Sequence, residues 1–264
     1  MRETYSTSSG QLSYLRAGSG PCLFLMHGLG GNANSWQEQL DQLSPSYDVI
    51  AWDAPGFGQS DVVEADPEAF AKAALSLLDH LQVEQTVLVG HSMGGVIAQT
   101  LAGLAPQRVS ALMLSCTWTG SAAPKGAPLA ERYAKRLNDL KTLSREAFGA
   151  ARAASMVAPS ADEQVRARIA TIASQVRADG YESACRLLSE ADTRHIAKNI
   201  TCPTVVIAGE QDLVIARDRV DALASLIPGS ELVEIRGAGH APYLEQTAAF
   251  NAEINRLFER ITKN

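Results

Sequence analysis

Thr86-Val87-Leu88-Val89-Gly90-His91-Ser92-Met93-Gly94 joins a β-rich run to a G-x-S-x-G pattern. A helical pattern follows over 94–104 and closes before Pro106. The logic is steric. A tight strand-to-helix turn forces the serine into strained backbone, and small flanking residues relieve the crowding. The Ser92 hydroxyl then stands exposed beside the first N–H groups of a helix. The pattern alone also fits a glycine-rich turn without chemistry. A strand before it and a helix behind it favour a nucleophile.

Outward from this turn, strands and helices alternate, which predicts an α/β fold with a mostly parallel central sheet flanked by helices. Strands are expected at 2–8 and 12–16, joined by a hairpin at Ser9-Gly10, and at 22–26, 47–52, 86–89, 111–115, 204–208 and 231–235. The strand at 86–89 should stop at Gly90. Helices are expected at 35–43, 66–81, 94–104 and 248–261, with Pro67 in a first helical turn. The 86 residues between Cys116 and Pro203 show no strand pattern. Over 119–198 there are 19 alanines, which favour helix, and 13 Lys/Arg against 9 Asp/Glu. Residues 1–117 and 203–264 are therefore expected to form the core, with 118–202 a helical cap inserted into it. The net charge of −6 divides into about +4 on the cap and −10 on the rest.

Composition narrows the function. At 264 residues, 46% hydrophobic and 20% charged, the chain can bury a core, and disorder, collagen and coiled coil are excluded. Net negative charge and 6% aromatics argue against nucleic acid as a partner. No apolar run is long enough to span a membrane, and residues 1–20 lack the apolar stretch of a secretory signal. Cys22, Cys116, Cys185 and Cys202 lack metal or redox spacing, so inert thiols in a cytoplasmic protein are expected, with no metal site.

A serine needs a base. Of five histidines, His80 reads as a helix surface residue and His195 falls in the insertion. His91 adjoins Ser92 and should point away from it. His240, in Gly237-Ala238-Gly239-His240-Ala241-Pro242, follows the last strand, where α/β sheets build sites, and is assigned as the base. Its carboxylate partner is assigned to Asp212, in Ala208-Gly209-Glu210-Gln211-Asp212, with Glu210 as rival. The loop after 111–115 reads Cys116-Thr117-Trp118-Thr119 and offers no acid. An oxyanion would be held by backbone N–H groups of Met93 and Leu29, the latter in His27-Gly28-Leu29-Gly30-Gly31.

With these blocks and Asp53-Ala54-Pro55-Gly56-Phe57-Gly58-Gln59-Ser60, the chain resembles serine hydrolases of the α/β-hydrolase fold superfamily that carry a helical cap. Within them it is most similar to carboxylesterases and lactonases such as 3-oxoadipate enol-lactonase. The resemblance implies hydrolysis of a small ester or lactone through an acyl-enzyme on Ser92, without a cofactor. Hydrolases of aromatic ring-cleavage products, which break a carbon–carbon bond, come second. They usually carry Asn before the serine and Trp soon after the histidine, where this chain has His91 and Ala241-Pro242-Tyr243. The aspartate nucleophile of dehalogenases and epoxide hydrolases is absent, and perhydrolase side activity needs nothing beyond the same triad.

Two other classes compete. Gly28-Leu29-Gly30-Gly31-Asn32-Ala33 formally fits G-x-G-x-x-A, with Asp53 twenty residues on, as dinucleotide binding would require. That reading leaves Ser92, Asp212 and His240 as coincidences, and Asp53 reads more simply as a turn residue bonded to nearby backbone. A small-ligand receptor on the same fold would keep the triad without turnover. The basic cap would attract an anionic substrate, with Arg145, Arg152 and Arg186 as pocket residues beside Trp118 and Tyr243. The alternative for those arginines is solvated helix faces. Oligomeric state is not legible.

Overall fold

The computed structural model describes residues 2–7 and 10–262. In chain order the elements are β1 (Arg2–Thr7), β2 (Gly10–Ala17), β3 (Cys22–Met26), α1 (Gln37–Leu43), β4 (Asp48–Asp53), α2 (Pro67–His80), β5 (Thr86–His91) and α3 (Met93–Leu104). They continue with β6 (Val109–Ser115), α4 (Glu131–Thr142), α5 (Arg145–Met156), α6 (Glu163–Ala173), α7 (Ala178–Glu190), α8 (Arg194–Ala197) and β7 (Thr204–Gly209). The last are α9 (Arg217–Leu226), β8 (Glu231–Ile235), α10 (Pro242–Glu245) and α11 (Thr247–Thr262). β1 and β2 pair antiparallel as expected, although Ser8 and Ser9 of the expected hairpin turn lie outside the described residues.

The eight strands form one sheet in the order β1-β2-β4-β3-β5-β6-β7-β8. β1/β2 and β2/β4 are antiparallel, and the remaining pairs are parallel. Alternation along the strands sorts the core into two faces. Phe24, Trp52, Leu88, Leu114 and Val206 face α2, α3 and α9; Leu23, Leu25, Ala51, Val89 and Met113 face α1 and α11. Central strands covered on both sides read as continuous apolar runs, and β4, β5 and β7 are buried throughout. β8 is an edge strand and alternates; its Glu231 and Glu234 are held by Arg256 and Arg217.

β5 runs to His91, two residues beyond the expected last strand residue Val89. Gly90 pairs with Leu114 on one side and Met26 on the other, and it remains glycine because of what it faces. A β-carbon there would lie 2.5 Å from the Gly94 carbonyl oxygen, and one on Gly94 would lie 2.2 Å from that of Met26. Between β6 and β7 the described chain is helical, from α4 to α8.

Candidate active site

β5 ends at His91 and α3 begins at Met93, so Ser92 makes the turn by itself. Its φ is +52° and ψ −112°, a region that costs a residue with a side chain about 1–3 kcal/mol. Hydrogen bonds to its backbone hold it there. Ser92 N–H donates to Ser115 O at 2.9 Å, and Ser92 O accepts from Thr117 Oγ1 at 2.7 Å and from Gly95 N–H at 2.9 Å. These bonds occupy the backbone and leave the hydroxyl free for chemistry.

Asp212 and His240 arrive on the loops after β7 and β8. The loops touch: a β-carbon on Gly209 would lie 2.0 Å from Gly239 O. His240 Nδ1 lies 2.8 Å from Asp212 Oδ2, and the two side chains are 3% and 5% exposed. Asp212 Oδ1 accepts from Val214 N–H at 2.7 Å and Ile215 N–H at 3.1 Å. Burial works to raise the acid's pKa. The charge and hydrogen bond of His240, with the two N–H groups, outweigh it and hold Asp212 below the usual carboxylate range. An ionised Asp212 only accepts, so the bond between them is donated by His240 Nδ1. Glu210 instead bonds Gly237 N–H at 2.7 Å near solvent.

Ser92 and His240 line one cavity of about 30 Å³, together with Gly28, Leu29 and Trp118. Ser92 Oγ makes no hydrogen bond to His240 among the described residues; such contacts tighten when substrate binds. Gly28 lies against the serine, since a β-carbon on it would be 3.1 Å from Ser92 Cβ. Leu29 N–H donates no hydrogen bond among the described residues, and Met93, first in α3, has no intrahelical acceptor for its own. His27 braces this loop. Its Nδ1 meets Gly28 O at 2.8 Å, and its Nε2 accepts from Ala54 N–H at 3.0 Å.

A second cavity of about 20 Å³ adjoins the first across Gly28, Leu29, His91 and Met156. Its far walls are apolar, among them Ile169, Ile172 and Tyr243. His91 turns into the site rather than away from it. Its ring centroid lies 4.8 Å from that of His240 and 4.9 Å from that of Tyr243. Burial, with His240 beside it, pushes His91 well below the histidine range, so it is a neutral wall.

The arginines divide. Arg152 lines the first cavity. Arg145 is exposed and reaches Ser174 O, whereas Arg186 is turned to Ala127 O and Glu190; neither lines it. Orientation about the helix axis decides this, and alanine-rich sequence does not encode it. Arg132, Arg136 and Tyr133 line the cavity and were not legible in the sequence. Also missed was Glu245, whose carboxylate accepts from Gly239, Ala241 and Ala158 N–H groups at 2.7–3.1 Å.

Asp53 is fully buried but is not bonded as a local turn residue. It accepts from Ala33 N–H at 2.8 Å and from Ser13 and Arg2. The carboxylate that a dinucleotide ribose would need is thus engaged, and this ends that reading. Cys116, Asp212 and His240 offer three ligand-type atoms within 4.8 Å. Burial raises the Cys116 thiol well above its usual range and keeps it protonated, while both Asp212 oxygens are bonded, which disfavours a cation there.

A family model described as alpha/beta hydrolase fold matches residues 21–247. The 3-oxoadipate enol-lactonase 2 of Acinetobacter baylyi is 30% identical, over 98% of this chain and 97% of its own. A pimeloyl-[acyl-carrier protein] methyl ester esterase of Chromobacterium violaceum is 32% identical, over 88% of this chain and 92% of its own. Among solved structures, the enol-lactonase of Burkholderia xenovorans is similar with a TM-score of 0.87 at 25% identity, over 97% of this chain and 100% of that one. A malate-bound thermophilic esterase of Thermogutta terrifontis gives 0.88 at 25% identity, over 99% of each.

Proposed function

The chain belongs to the alpha/beta hydrolase fold family, and from that premise we propose that it is a serine hydrolase of small carboxylic esters or lactones. One observation carries the reading: the 2.8 Å bond between His240 and Asp212, in a site whose cavity also holds the strained Ser92. His240 Nε2 takes the Ser92 proton as Oγ attacks the acyl carbon. The oxyanion settles between the N–H groups of Leu29 and Met93, and His240 returns the proton to the leaving alcohol or enol. Water, activated by the same imidazole, then cleaves the acyl-enzyme. The two adjoining cavities suit the two halves of such a substrate.

Residues 118–202 act as a cap over a core of 1–117 and 203–264. Trp118, Tyr133 and Arg152 bring cap walls to the serine, and the remaining volume of about 30 Å³ holds about two waters at roughly 10–15 Å³ each, so substrate entry requires the cap to shift. The cytoplasm suits a chain whose four cysteines are unpaired and in which no described helix is long and apolar enough to cross a membrane. The test is a panel of p-nitrophenyl esters of rising chain length, lactones and a ring-cleavage dienone, against wild type and Ser92→Ala. Ester or lactone turnover lost in Ser92→Ala supports the reading. Turnover of the dienone alone would replace it with carbon–carbon hydrolysis.

A further inference from the structure

The cavity at Ser92 has three arginines in its wall, Arg132, Arg136 and Arg152, and no aspartate or glutamate. Arg152 is the informative one. It is 8% exposed, its Nε has no hydrogen-bond partner, and its one side-chain bond is from Nη1 to Ser155 Oγ at 3.0 Å. It forms no ion pair among the described residues, and Asp139, an acid on neighbouring α4, is paired with Lys135 at 2.6 Å. Arg136 likewise has no ion pair, while Arg132 lies over the rings of Trp118 and Tyr133 and bonds only hydroxyls. A guanidinium cannot shed its proton to escape burial, so the positive charge stays in the cavity and awaits an anion.

Resting on the hydrolase reading, we propose that the substrate carries a free carboxylate, bound by Arg152 with Arg136 and Arg132, besides the ester or lactone bond that Ser92 attacks. The fork of a guanidinium matches the two oxygens of a carboxylate. A carboxylate set at a fixed distance from the serine would also orient the acyl carbon. Arg152 is then the residue that separates half-esters of dicarboxylic acids from neutral esters of the same length.

The test pairs monomethyl esters of succinate through suberate with the matching methyl ester amides, in which the free carboxylate becomes a carboxamide. Methanol release gives kcat/KM for each. Wild type should prefer the acid at its best chain length by at least tenfold, and in Arg152→Gln the ratio should fall toward one, chiefly through KM. Arg152→Lys, which keeps the charge, should recover part of it. In parallel, calorimetry on Ser92→Ala should show a dicarboxylate of that length binding more tightly than inorganic phosphate, and Arg152→Gln in that background should lose it. Equal turnover of acid and amide by wild type, or phosphate binding the more tightly, overturns the carboxylate assignment and leaves the hydrolase reading standing. Dicarboxylate binding that depends on Arg152, in a protein that turns over no ester, would sustain the anion site and reject the hydrolase.

Discussion

The backbone N–H of His240 donates to the carbonyl oxygen of Met156 at 2.6 Å, which ties the proposed base to the last residue of α5. The next turn of chain is held as firmly, since Ala158 N–H donates to Glu245 and Glu245 in turn holds Gly239 and Ala241 on either side of His240. The segment that follows α5 and the loop that presents the imidazole therefore form one unit.

That unit has no slack at Gly239. A β-carbon there would lie 2.5 Å from Ala158 N and 2.7 Å from Val157 C, backbone atoms that cannot swing aside. Gly239→Ala should displace His240 and lower kcat on an ester at least tenfold, with a folded far-UV spectrum. Steady-state kinetics check this.

Glu245 should matter for both stability and turnover. Glu245→Ala removes the acceptor for three backbone N–H groups, at roughly 1 kcal/mol or more each for partly buried charge-assisted bonds. Urea unfolding should show a loss of about 2–4 kcal/mol, since such losses do not add fully. kcat should fall with it, whereas loss of stability alone would leave the folded fraction fully active.

The two acids near His240 should separate cleanly. Asp212→Asn leaves the imidazole without its anionic partner and should lower kcat by about 10³–10⁴-fold with little change in melting temperature. Glu210→Gln, which touches only the exposed Gly237 N–H, should stay within about twofold of wild type. Kinetics on both variants with one ester substrate check the assignment.

His27 predicts an acid-side loss of stability. Burial pushes its pKa down to about 4, against about 6.5 for an unfolded histidine. Between those values the unfolded chain holds more protons, so stability falls as pH falls. The His27 contribution is complete above about pH 6.5 and is lost progressively down to about pH 4, roughly 3 kcal/mol in all. The urea stability of wild type over His27→Gln should shrink by about that amount from pH 7 to pH 4.

The placement of Ser92, Asp212 and His240 just after the carboxyl ends of strands was legible because glycines and apolar runs mark those places locally. The strands were legible for the same reason, to within two residues at each bound; at Gly90 the feature that reads as a stop is the one that lets α3 approach the sheet. Arg132 and Arg136 stand four apart on α4, so the sequence places them on one face. Which face turns to the serine depends on how Tyr133 and Leu137 dock, and that is tertiary information. Asp53 was misread because its partners, Ala33, Ser13 and Arg2, lie 20 to 51 residues away. Glu245 had a visible position, five residues past His240, but a lone carboxylate in a short helix gives no sign that it binds backbone on two loops.

In the proposed reaction Ser92 is the nucleophile, activated by His240. The most direct measurement is labelling with a fluorophosphonate followed by peptide mass spectrometry. One adduct per chain on the peptide containing Ser92, formed far more slowly in His240→Ala, is the result predicted. No adduct in the wild type, or an adduct on a different residue, would contradict it.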